Sequence, residues 1–89
     1  MPNRAGRFIG LDLHNDTIYV SELSCLEGTA SQYQISTREK DFEAFLGTLR
    51  SDDKVALEST RGSRYYVKRL LTRVGTVAVA NPAPAPQPA

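Results

Sequence analysis

The sequence holds one cysteine, one histidine and no long apolar run. Each scarcity excludes something. With Cys25 alone, no internal disulfide can form and no cysteine-based zinc site can be built, so a reduced, cytoplasmic setting is expected. No apolar stretch approaches the ~20 residues of a membrane span, and residues 1–6 (MPNRAG) lack the apolar segment of a signal peptide. Neither sign of charge is in excess. The formal net charge is +1, so affinity for nucleic acid has to come from local clustering of Lys and Arg. At 89 residues the chain makes one small domain or a piece of a larger one. A hydrophobic content of 40% and a charged content of 24% are those of an ordinary globular protein.

What is there is organised around Arg7–Leu23, RFIGLDLHNDTIYVSEL. It reads as two strands, Arg7–Leu13 and Thr17–Leu23, joined by the turn residues His14, Asn15 and Asp16. Alternation puts Arg7, Ile9, Leu11 and Leu13 on one face of the first strand and Phe8, Gly10 and Asp12 on the other. Asp12 therefore sits inside an apolar run and needs water, a cation or a hydrogen-bond partner. A turn at Glu27–Thr29 leads to a weaker third strand, Ala30–Ile35, whose polar alternation suits a sheet edge.

A helix is predicted over Lys40–Arg50, with Phe42, Phe45, Leu46 and Leu49 forming one apolar stripe. Lys54–Leu57 reads as a short buried strand ending at Glu58, and Ser59–Ser63 as a polar loop with capping residues. A second helix over Arg64–Val74 carries Val67, Leu70, Leu71 and Val74 at helical spacing, with Gly75 as its C-terminal cap. Thr76–Ala80 is a last strand, and residues 81–89 (NPAPAPQPA) form an extended tail. This order predicts an α/β domain: a mixed sheet with a three-stranded antiparallel start followed by β-α-β crossovers. Right-handed crossovers bring the strand ending at Glu58 parallel to the one bearing Asp12, if the two are neighbours.

Asp12 and Glu58 are then the first candidates for chemistry. Two carboxylates at adjacent strand ends make a hard-oxygen site suited to Mg²⁺, an ion used in phosphoryl chemistry. The plainer reading has Asp12 capping a turn, and Glu58 capping the helix or pairing with Arg61. A second candidate is the basic cluster Arg61, Arg64, Lys68, Arg69 and Arg73, with no acid between Glu58 and the tail. Arg61, Arg64 and Lys68 share one side of the helix and could hold a phosphate backbone; the alternative is a solvated helix face. His14 is either a residue near a reacting phosphate or an ordinary turn residue. Tyr65 and Tyr66 could stack on a base or close the core beside Leu70. A Gly-Leu-Asp-Leu strand also opens the nucleotide-binding domains of sugar kinases and actin-like ATPases. Those need glycine after the strand so that backbone N–H groups can cradle phosphate, and here His14, Asn15 and Asp16 follow instead.

Three segments together resemble the amino-terminal part of insertion-sequence transposases of the IS-one-ten type. Phe8–Thr17 (FIGLDLHNDT) is similar to the family's Gly-x-Asp-x-(His/Ser)-Lys-Asp/Glu strand, and Val55–Tyr65 (VALESTRGSRY) to its Glu-Ala-(Thr/Cys)-x-Gly-x-x-Tyr segment. Gly75–Pro82 (GTVAVANP) is similar to the strand and Asn-Pro that follow its helix. The resemblance covers residues 8–82. It implies an incomplete RNase H-like (RuvC-like) domain over residues 7–81, after a flexible lead (1–6) and before a Pro/Ala-rich tail (82–89). Asp12 and Glu58 would match the first two acids of a four-carboxylate DEDD site that binds Mg²⁺, weakly in so short a chain. The partners implied are DNA, a structured guide RNA, and a second copy of the chain or an intact transposase, with no membrane.

Asn15 stands where the family has Lys, which weakens a phosphate contact. The last two Asp and the carboxy-terminal domain with its nucleophilic Ser lie downstream in the family. The expectation is therefore a transposase fragment derived from a DNA-recombining enzyme but inactive alone. The alternatives are a non-catalytic module that binds nucleic acid or a transposase, and a fragment of an actin-like or sugar-kinase domain.

Overall fold

The computed structural model describes residues 6–24, 27–60 and 62–80. Cys25, Arg61 and the Pro/Ala-rich tail, on which several of the expectations above fall, lie outside them. The elements are β1 (Arg7–Leu13), β2 (Thr17–Ser24), β3 (Thr29–Ser36), α1 (Glu39–Leu46), β4 (Lys54–Glu58), α2 (Ser63–Leu70) and β5 (Thr76–Ala80). They build an α/β mixed sheet in the order β3-β2-β1-β4-β5. β2 is antiparallel to both β1 and β3, whereas β1, β4 and β5 run parallel. β3 is an edge strand, as its polar alternation predicts. No helix among the described residues is long and apolar enough to cross a membrane.

Alternation along the strands divides the sheet into two unlike faces. Ile9 and Leu11 of β1, Ile18 and Val20 of β2, and Val55 and Leu57 of β4 point to one side and are buried. Phe42, Phe45, Leu46 and Leu49 pack onto that side from α1 and the turn after it, and Leu70 and Val74 from α2 and its own turn. Tyr66 closes this core edge-on to Phe42, their centroids 5.1 Å apart. Its neighbour Tyr65 is exposed. The opposite face carries no helix among the described residues and leaves Phe8, Tyr19 and Leu23 about half exposed.

Both helices stop four residues before the ends predicted from their apolar stripes, and for the same reason. The Thr48 hydroxyl donates to the Phe45 carbonyl at 2.7 Å, and the Thr72 hydroxyl to that of Arg69 at 2.6 Å. In each case the chain tightens into bonds spanning three residues (Leu49 N–H to Leu46, Arg73 N–H to Leu70), which keep Leu49 and Val74 turned inward. Gly75 is therefore not the helix cap; Leu71 is, in ordinary right-handed geometry. Leu71, expected in the stripe, is about half exposed. The loop before α2 supplies no side-chain cap either: Gly62, in the left-handed region, holds the N-cap position.

One charged pair sits inside this apolar frame. Asp53 is 1% exposed and immediately precedes β4. It accepts from Arg7 Nη2 at 2.6 Å and Nε at 3.2 Å, and from the backbone N–H groups of Arg7 (3.1 Å) and Arg50 (2.9 Å). Arg7 Nη1 also reaches Glu22 at 3.1 Å. The carboxylate is thus fully hydrogen-bonded, the condition for burying a charge without a large penalty. Just ahead of Arg7 the chain presses on the same loop. A side chain at Gly6 would meet the Asp52 carbonyl oxygen at 1.8 Å.

Burial works to raise the Asp53 carboxyl, but the Arg7 guanidinium and the two backbone N–H groups outweigh it and hold the group below its ordinary value. A depressed folded-state value makes this stabilisation complete above the ordinary carboxylate range and loses it as pH falls through the folded value. Urea unfolding should therefore show stability declining below about pH 4, with a shallower decline in Asp53→Asn. Arg7→Met strands a buried carboxylate and should cost about 3 kcal/mol at neutral pH.

Candidate metal centre

Asp12 is the penultimate residue of β1 and Glu58 ends β4, each one residue beyond a buried leucine (Leu11 and Leu57). Leu11 and Leu57 are register partners in the parallel β1–β4 pair. Asp12 and Glu58 therefore fall at the next register position, on strands ~4.8 Å apart. Alternation turns both away from the core. The two acids, far apart in the sequence, thus lie at the same end of neighbouring strands.

That rim has a topological reason to be a site. From β1 the chain goes to β2 on one side and later returns as β4 on the other, so strand order reverses between β1 and β4. Ligands of open α/β sheets bind outside the carboxyl ends of the strands at such a reversal. Asp12 and Glu58 flank it. They line an open cleft of about 780 Å³ together with Gly10, Tyr19, Gln34 and Ala56. A side chain at Gly10 would meet nothing within 4 Å, so this glycine keeps the cleft floor low.

Asp12 does not cap the turn. Its Oδ2 lies 3.1 Å from His14 Nε2, and the two side chains are 69% and 52% exposed. The His14 ring is held edge-on against Tyr19, centroids 5.0 Å apart. His14 is thus fixed beside the acid pair, with one oxygen of Asp12 left for another partner. The Glu58 side chain makes no ion pair among the described residues. The donor set suits a hard divalent ion: two exposed carboxylates, room for water, and an open approach for a phosphate oxygen. Among the described residues no three acidic, His or Cys side chains gather to hold a metal. Water and phosphate oxygens would have to complete the shell, and the affinity expected is weak.

The basic cluster divides in two. Arg64 and Lys68 stand one turn apart on α2, exposed, with no ion-pair partner among the described residues. α2 begins five residues after Glu58, and Arg64 lies in its first turn. Arg69 is committed elsewhere. It bridges α2 to α1 through Glu39 at 2.8 Å and through Glu43, with Tyr65 bound to the same Glu39 at 3.1 Å. Tyr65 is therefore part of a helix-to-helix clamp. Protein-family models and curated protein sequences give no match to the chain.

Since both acids are exposed and support nothing in the core, Asp12→Asn and Glu58→Gln should each change unfolding free energy by no more than about 0.5 kcal/mol. Urea titration checks this, and a large loss would make the pair structural.

Proposed function

We propose that the chain is the amino-terminal part of a DEDD-type insertion-sequence transposase, with an RNase H-like (RuvC-like) sheet whose Asp12 and Glu58 hold Mg²⁺ against a nucleic-acid phosphate. The observation that supports this most is the meeting of Asp12 and Glu58 at the carboxyl ends of adjacent parallel strands, on either side of the reversal in strand order. The sheet itself, a three-stranded antiparallel start followed by β-α-β crossovers, agrees with what the family resemblance implies.

The residues divide the work by position. Asp12 and Glu58 supply the two carboxylate ligands, and His14 orients Asp12 by holding one of its oxygens. Arg64 and Lys68 would supply exposed positive charge to a phosphate backbone that runs from the acid pair past α2, fixing its position without reading its sequence. Arg61 belongs to the same run in the sequence. A bound Mg²⁺ would polarise a phosphate oxygen and acidify a coordinated water. Two protein carboxylates make the site one that binds before it cuts, so phosphate binding is the property to test first.

Calorimetric titration with Mn²⁺ should show weak binding that Asp12→Asn and Glu58→Gln each abolish. Binding unchanged in both variants would remove the metal reading. Duplex DNA affinity should fall with added salt, and Arg64→Ala and Lys68→Ala should each lower the slope of log K against log salt by about 1. An affinity indifferent to salt would remove the phosphate contacts.

A further inference from the structure

The edge strand β3 pairs with β2 along its whole length, Thr29 to Ser36, without a bulge. Which of its backbone groups face outward follows from the ends of the ladder. The Thr37 N–H donates to the Asp16 carbonyl at 3.1 Å, and the His14 N–H to that of Thr17 at 2.8 Å. Antiparallel bonds recur at every second residue, so Ile35, Tyr33, Ser31 and Thr29 bond to β2. Ala30, Gln32, Gln34 and Ser36 then present their N–H and C=O groups to the open edge. Edge strands are ordinarily blunted by charge, proline or a bulge. Thr29–Ser36 (TASQYQIS) has no charged residue and no proline, and all its residues except Ile35 and Ser36 are exposed.

We infer that this edge is the docking surface for a second copy of the chain, joined antiparallel about a two-fold axis through Tyr33. A two-fold axis perpendicular to the sheet keeps like faces together, so it must pair residues of the same parity. Of the even-residue registers, the one centred on Tyr33 uses all four outward residues. Ala30 meets the partner's Ser36, and Gln32 meets the partner's Gln34. Symmetry doubles each contact, giving about eight backbone hydrogen bonds. No like charges oppose one another, and the glutamine amides face each other on the open side.

On the helix side, Tyr33 meets its own symmetry mate. Its ring is already oriented by a 2.6 Å bond from its hydroxyl to Glu22. A groove of about 570 Å³ runs along this same edge between β3 and α1, lined by Tyr33, Ile35, Ala44 and Phe45. The partner's copy of the groove would close it. The other edge, β5, offers only five residues (Thr76–Ala80). The dimer would be a continuous ten-stranded sheet with both acid pairs on one face.

Sedimentation of the full chain from about 1 to about 200 μM should show a monomer–dimer equilibrium. The double variant Gln32→Lys/Gln34→Lys sets like charges opposite each other twice across the axis. It should raise the dissociation constant at least about tenfold with unchanged circular dichroism. Gln34→Pro, which removes one outward N–H, should do the same if the double variant unfolds. A monomeric mass throughout overturns the inference. So does a dimer that both variants leave intact, or one lost on Phe8→Ser/Leu23→Ser, which alters only the open face. Mass is read without metal or DNA, so the outcome is independent of the acid-pair reading.

Discussion

The ion pair between Arg7 and Asp53 fixes how β1 lies against β4, and the candidate site depends on that alignment. Asp53 stands in the same register relation to Arg7 as Lys54 does to Phe8 and Leu57 to Leu11. Because side chains alternate along a strand, a slip of one residue would turn Val55 and Leu57 outward and draw Glu58 into the core. A guanidinium clamped on a buried carboxylate, with two backbone N–H groups completing it, makes that slip costly. The lock lies at the amino ends of the two strands and its consequence at their carboxyl ends.

The sheet is asymmetric in a way that links stability to function. All of the buried apolar side chains of the strands lie on the helix side, and the other side exposes Phe8, Tyr19 and Leu23 around the small residues Gly10 and Ala56, with Asp12 and Glu58 at one rim. Gly10 and Ala56 sit side by side there. They add little to the core but leave the cleft open beneath Asp12 and Glu58. Among the basic residues of α2, Arg69 is spent on holding α2 to α1, whereas Arg64 and Lys68 are exposed and make no ion pair among the described residues.

Much of this was legible in the residues. The period-two pattern of Arg7–Leu13 put Ile9 and Leu11 on one face and Asp12 on the other, and the first face is the buried one. The stripe of Phe42, Phe45, Leu46 and Leu49 is buried in full. Helix ends were not legible, because threonine hydroxyls at Thr48 and Thr72 closed them with local bonds that an apolar stripe does not encode. Asp53 falls between the predicted helix and strand and is the most buried charge among the described residues. A signal for it existed: Arg7 shares a face with Ile9 and Leu11, and a cation on an apolar face needs a partner. Nothing in the spacing named Asp53 as that partner, since 46 residues separate them.

By itself the sequence determined the two-faced alternation of the strands, where the turns fall, and that Asp12 lies near the end of one strand and Glu58 at the end of another, because these depend on local periodicity and backbone preference. Only the tertiary structure decided that the two strands are neighbours, parallel and in the register that sets the acids side by side. That choice comes from burying leucines and valines against the helices and from satisfying Asp53 with Arg7. Both are interactions between distant residues, and no local pattern contains them.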